Sequence, residues 1–170
     1  MATNKKPRKR YRPKPVNYNT IGFAMESVAT LSSMHSDYLL NLKIKNSEAM
    51  VALMRGTATK ADMDTLIAMS NIVEALHSMG FGKEYQDVCV EGRYAILSVI
   101  YRAVDKLKFV LTASEIKALN TLMELHDAQF DVITVRDVEK ALQIAKRKIR
   151  QNDAIKLPKL PEELRTCALI

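Results

Sequence analysis

The sequence predicts an all-α protein, a helical bundle of about five or six helices with a disordered basic N-terminal arm and an extended C-terminal tail. The chain has 170 residues, of which 48% are hydrophobic and 26% charged, a composition typical of one folded domain. From Tyr18 onward, apolar residues recur at intervals of three and four, which is the helical period. Thr59, Thr112 and Thr134 are each followed three residues later by an acid, the capping-box pattern that marks a helix start.

These features divide the chain into an arm at 1–17, a helical domain at 18–150 and a tail at 151–170.

Only two cysteines occur, Cys89 and Cys167, too few for a disulfide framework. The basic N-terminus is not followed by an apolar stretch, and no uninterrupted apolar run approaches 18 residues. We therefore expect a soluble protein of a reducing, intracellular compartment.

The first part of the domain predicts a helix over 20–34, with apolar residues on one face. Residues 38–45 alternate between apolar and polar types, so they form either a short extended segment or part of a longer helix. Asn46 or Ser47 can cap a short helix that Gly56 ends.

The middle of the domain predicts two long helices. The first begins at Thr59 and ends at Gly80, and residues 81–83 form a turn. The second covers about 84–104. Its centre is apolar nearly all round, which predicts a position in the middle of the bundle.

The last part of the domain predicts a short extended linker over 106–111 and two more helices. The helix that begins at Thr112 carries an apolar stripe through Ile133, and the helix that begins at Thr134 has apolar residues in heptad-like spacing. That final stripe consists of Val135, Val138, Leu142, Ala145 and Ile149.

Charge is distributed unevenly along the chain. The net charge is +7, and residues 1–17 hold seven bases and no acid. Residues 18–139 have 11 bases and 16 acids, whereas residues 140–150 have five bases and no acid. This asymmetry indicates a polyanionic partner for the basic segments and an acidic body between them.

The arm is the strongest functional signal. Its cations and one aromatic residue, interrupted by prolines, span roughly 30 Å in a polyproline-like conformation at ~3.1 Å per residue. Arginine can bind phosphate in bidentate fashion, and an aromatic ring can stack on a base. We predict that the arm binds DNA or RNA; the alternatives are a solubility tail, an anionic-membrane contact or a nuclear-localisation-like run. The residues concerned are Lys5, Lys6, Arg8, Lys9, Arg10, Tyr11, Arg12 and Lys14.

The last helix supports this prediction because Arg136, Lys140 and Arg147 lie opposite its apolar stripe, with Arg150 close by. The alternative is a solvated helix end, where basic residues also complement the helix dipole. The candidate nucleic-acid contacts here are Arg136, Lys140, Lys146, Arg147, Lys148 and Arg150.

No enzyme motif is present, so we predict no catalytic residue, no metal site and no cofactor. The pair Glu74 and His77 has the spacing used in di-iron bundles, but Met123 stands where a second Glu would be needed near His126. His126 lies on an apolar stripe, which indicates a core histidine. Acidic neighbours should raise the pKa of Cys89 and leave its thiol inert.

Two other features stay open. The terminal Cys167-Ala168-Leu169-Ile170 has the form of a prenylation box, although isoleucine is not among its usual final residues. Seven of the nine methionines lie between Met25 and Met79, where they fill a core or form an adaptable partner surface.

The segments 10–16 (RYRPKPV), Lys45-Asn46, Gly56 and 125–129 (LHDAQ), on an all-helical body, resemble small basic proteins of bacteriophages and other bacterial mobile elements. The resemblance implies a bacterial cytoplasmic setting and no particular activity. We therefore expect a non-enzymatic nucleic-acid-binding accessory protein. The alternative is a protein-binding adaptor or inhibitor that acts through its helical body, or that forms a homo-oligomer.

Overall fold

The computed structural model describes residues 28–158, and this part of the chain is an all-α bundle, as predicted. It holds five long helices, one single-turn helix and a 3-10 turn at Lys83–Tyr85. Within it no strand forms, and one isolated bridge joins Thr30 to Thr134. The helices are α1 (Leu31–Met34), α2 (Ser36–Arg55), α3 (Lys60–Met79), α4 (Gln86–Lys106), α5 (Ala113–Val132) and α6 (Val135–Arg150).

All three predicted capping boxes are present. The side chain of each threonine accepts a hydrogen bond from the backbone N–H three residues on, and the acid there accepts one from the threonine N–H. Gly56 and Gly80 end α2 and α3 in the left-handed conformation, with φ of 68° and 108°. Local sequence signals therefore define the boundaries of most helices.

The N-terminal half of the domain differs from the prediction. Of the expected helix over 20–34, residues 20–27 lie outside the described part of the chain. The remainder is interrupted, because Thr30 is extended and the Leu31 N–H donates to the Ile133 carbonyl at 2.9 Å. Residues 38–45 are helical within α2, so the alternative of an extended segment is wrong. Asn46 does not cap a helix but lies buried inside α2, and the Ser47 hydroxyl donates to the Lys43 carbonyl.

Helix α3 occupies the centre of the bundle, since it packs against α2, α4, α5 and α6. Its residues contribute to both apolar clusters of the core. The expectation that α4 would take this central place is wrong. Tyr94 and Tyr101 are 66% and 72% exposed, and the tyrosine hydroxyl makes such a face compatible with water.

Helix α6 packs on α3 through small residues. Ala145 of the predicted stripe is buried, and Val135 and Val138 of the stripe pack against the core. Leu142 and Ile149 are 42% and 38% exposed, whereas Ala141, outside the stripe, is buried. The prediction of the buried face is therefore correct for three of its five residues.

The described part of the tail forms a turn at 151–152 and has no helix or strand over 153–158, and it packs against the bundle. Ile155 is buried in the larger core cluster. The Asn71 side chain accepts a hydrogen bond from the Ile155 N–H at 3.2 Å and donates to its carbonyl at 3.1 Å. A buried amide on the central helix thus holds residues 151–158 in place.

Candidate nucleic-acid interface

The outward face of α6 carries five of the six cations that the sequence predicted as contacts on this helix. The helix has six bases and two acids, a net charge of +4. At 1.5 Å per residue, Arg136 and Arg150 lie about 21 Å apart along the axis. The Nζ of Lys140 lies 3.9 Å from Oδ1 of Asp137. Glu139 is exposed on the same face. The exposed cations are Arg136, Lys140, Lys146, Arg147 and Arg150.

Four of these five cations have no ion-pair partner among residues 28–158. The ion pairs of α6 there involve Lys140 and Lys148. The charge of an unpaired surface cation is not neutralised by a neighbouring carboxylate, so it can attract an external anion. This face is therefore positively charged and accessible.

Lys148, which the sequence analysis named as a candidate contact, does not lie on this face. Its Nζ lies 3.7 Å from a carboxylate oxygen of Glu74, on the side that packs against α3. One guanidinium nitrogen of Arg93 donates to both oxygens of the same carboxylate, at 3.0 and 2.9 Å. Glu74 therefore joins α3, α4 and α6, and Lys148 serves this structural network.

The same contacts show whether Glu74 and His77, which have the spacing used in di-iron bundles, are arranged to bind a metal. Both Glu74 oxygens are occupied by Arg93, and His77 Nε2 lies 3.4 Å from the Lys83 carbonyl oxygen. In residues 28–158 no group of three or more His, Cys, Asp or Glu side chains is arranged to hold a metal ion. The geometry of Glu74 is that of a structural carboxylate.

His126 is a buried histidine, as predicted. It is 2% exposed, its ring stacks on Phe130 with centroids 4.3 Å apart, and its Nδ1 lies 3.0 Å from an Asp127 carboxylate oxygen. Its contacts are those of a core side chain.

Cys89 is also buried, and the pKa of its thiol is raised to about 11. Burial is the main cause, followed by the nearby carboxylates of Glu74 and Asp87. The direction matches the prediction, but the largest carboxylate effect comes from another helix, which sequence neighbours could not reveal.

The predicted arm contacts lie outside the described residues, and so does the Cys167-Ala168-Leu169-Ile170 terminus. The arm contacts are Lys5, Lys6, Arg8, Lys9, Arg10, Tyr11, Arg12 and Lys14.

A second surface was missed by the sequence analysis. Helix α4 exposes an apolar stripe of Val90, Tyr94, Tyr101 and Val104. The signal was available, because two tyrosines seven residues apart lie on the same helical face. We call this surface the tyrosine face.

None of the helices within residues 28–158 combines the length and the apolar character needed to cross a bilayer.

Comparisons with protein-family models, with curated proteins and with solved structures found no match for this chain.

Proposed function

We propose that this protein is a non-enzymatic nucleic-acid-binding accessory protein, encoded by a bacteriophage or another bacterial mobile element and acting in the bacterial cytoplasm. The arm supplies most of the affinity, and the outward face of α6 is a second contact. Both bind phosphate backbone, which is read without sequence preference.

The observation that carries this proposal is the exposed row of cations on α6. A face about 21 Å long covers roughly six phosphates of one strand at 3.4 Å each. Arginines make up three of its five cations, and arginine forms bidentate contacts with phosphate oxygens. The apolar side of the helix is fixed on α3, so the cations are presented from a rigid element.

The test is a salt titration of binding to duplex and single-stranded DNA and RNA, measured by fluorescence anisotropy. One full-length variant carries Arg136→Gln, Arg147→Gln and Arg150→Gln. The log–log salt slope on duplex DNA should become less steep by up to about 3, because each phosphate contact contributes about 0.9.

A matched control removes three exposed cations elsewhere, through Lys45→Gln, Lys106→Gln and Lys117→Gln. Both variants lose the same net charge, so a general electrostatic effect would change them equally. Equal slopes for the two variants would refute the α6 contact.

A second candidate function, a protein-binding adaptor or inhibitor, is favoured by one observation on α2. Leu40, Ile44, Val51 and Met54 are all exposed at heptad-like spacing, beside a shallow groove of about 500 Å³. If the protein is an adaptor that uses this face, the Ile44→Glu substitution should prevent oligomer formation or partner binding. DNA binding by the same variant should be unchanged. Light scattering and anisotropy on that one variant separate the two functions.

A further inference from the structure

The tyrosine face of α4 is both aromatic and negatively charged. Asp87, Glu91 and Asp105 flank the stripe, are exposed, and have no basic partner within 4.0 Å among residues 28–158. The two arginines of α4 are engaged elsewhere, Arg93 by Glu74 and Arg102 by Glu115. The face therefore attracts a cationic ligand that also has apolar surface.

A groove of about 490 Å³ runs beside this face, between α4 and α5. It is lined by Glu91, Tyr94 and Ser98 from α4 and by Ser114, Lys117 and Thr121 from α5. The hydroxyls and the carboxylate can accept hydrogen bonds from an extended chain, while Lys117 is the one cation that borders the groove within the described residues.

The spacing of the tyrosines suits one backbone conformation. Tyr94 and Tyr101 lie seven residues apart, which is about 10.5 Å along the helix axis. One turn of polyproline II takes three residues and rises about 9.3 Å. Aromatic surfaces recognise proline-containing segments in this conformation, and an aromatic ring also attracts the cation of Arg or Lys.

This chain contains a segment with the matching chemistry. Residues 5–15 hold seven cations, three prolines and no acid. The twelve residues 16–27, which connect this segment to the described part of the chain, can span at most about 43 Å when fully extended, at 3.6 Å per residue.

The structure places the start of the described chain beside α5, the helix that packs against α4. Leu31 bonds the carbonyl of Ile133, just beyond the end of α5, and Gly92 of α4 packs against Leu122 of α5. Ile133 and Leu122 are separated by eleven residues, about 16 Å of helix.

We propose that residues 5–15 dock on the tyrosine face of the same molecule, with cations against Asp87, Glu91 and Asp105 and with prolines or aliphatic stems against Tyr94 and Tyr101. The tyrosine face is then a binding site for a basic, proline-containing segment. The same cations cannot contact these carboxylates and a nucleic-acid backbone at once, so docking would compete with nucleic acid. The docking itself does not depend on the proposed function.

The chain has no tryptophan, which allows a direct test. In full-length protein, Tyr101→Trp places a single fluorescent reporter on the face and keeps an aromatic ring there. We expect the indole of this variant to be protected from acrylamide quenching at low salt, with loss of protection and a red shift of emission as salt is raised.

Two further variants in the Tyr101→Trp background should lack the protection at low salt. In one, the seven arm cations are changed to Gln; in the other, Asp87→Asn, Glu91→Gln and Asp105→Asn neutralise the face. A matched control, Glu48→Gln with Glu139→Gln and Asp153→Asn, removes three exposed acids elsewhere and should keep the protection. Circular dichroism checks that helicity is the same in all four proteins.

Equal quenching in all four proteins, or loss of protection in the control, would overturn the proposal. Protection that depends on protein concentration would also overturn it, because the arm would then dock on another copy. No nucleic acid is present in these measurements. A negative quenching result would therefore not affect the conclusion about nucleic-acid binding from anisotropy. A negative anisotropy result would likewise not affect the conclusion about docking on the tyrosine face.

Discussion

Single residues show how burial and hydrogen bonding set the chemistry of this protein. Glu115 is 8% exposed, closes a capping box with Thr112 and accepts a hydrogen bond from Arg102 at 2.6 Å. Burial raises the pKa of this carboxyl, but hydrogen bonds from Arg102 and Thr112 lower it by more, so the net pKa lies below its ordinary value of 4.5. The carboxylate form therefore stabilises the folded state.

This shift predicts a pH dependence of stability. A carboxyl whose pKa is depressed by folding contributes its full stabilisation above the unfolded pKa, and loses it as the pH falls through the folded pKa. Between about pH 5 and pH 3, the unaltered chain should lose more unfolding free energy than the Glu115→Gln variant. Urea unfolding at several pH values measures this; Glu124→Gln, an exposed change on the same helix, is the control. Parallel pH profiles for the unaltered chain and Glu115→Gln would contradict the assignment.

The thiol of Cys89 should react slowly in the folded protein. It is 3% exposed and its pKa is raised to about 11, so little thiolate exists at neutral pH. In a Cys167→Ser chain, an aromatic disulfide reagent at about pH 8 should modify Cys89 slowly, and rapidly once denaturant is added. The same rate with and without denaturant would show that Cys89 is accessible.

At the scale of whole elements, three helix starts were predictable because their signals are local. Each capping box is set by two residues three apart, and Gly56 and Gly80 end helices without help from distant contacts. The long helix over Ser36–Arg55 was less clear, since Asn46 suggests a helix cap in the sequence, whereas in the structure it is a buried residue inside the helix.

Contacts between elements could not be predicted. Nothing in the sequence indicates that Asn71 holds Ile155, which is 84 residues away, or that Lys148 turns inward to Glu74. A helical wheel places residues on a face, but it does not say which face is covered by a neighbour. For the same reason the tyrosines of α4 looked like core residues.

The packing of α4 against α5 depends on one glycine inside a helix. A Cβ atom at Gly92 would lie 2.6 Å from Leu122 Cδ2 and 3.1 Å from its Cβ. The clash of Gly92→Ala should cost about 1–3 kcal/mol, and the better helix propensity of alanine offsets at most about 1 kcal/mol.

Urea unfolding of Gly92→Ala, compared with Ser98→Ala on the exposed side of α4, measures the difference. We expect a lower midpoint for Gly92→Ala and little change for Ser98→Ala. A midpoint for Gly92→Ala equal to or above that of the unaltered chain would show that α4 and α5 are less closely packed at this point.

For the whole molecule, the separation of charge is the feature on which the proposals depend. Basic groups are concentrated in residues 1–17 and on the outward face of α6, and acids flank the tyrosine face of α4. This distribution was readable from the sequence as a difference between segments. The structure adds which cations of α6 point outward and shows that two of them, Lys140 and Lys148, have ion-pair partners.

The most direct test of the central claim is the salt dependence of DNA binding by the full-length chain and by a variant whose seven arm cations are changed to Gln. Neutralising the arm should weaken binding to duplex DNA and remove up to about six units of the log–log salt slope. Equal affinity and an equal slope for the two proteins would contradict the claim that the arm binds nucleic acid.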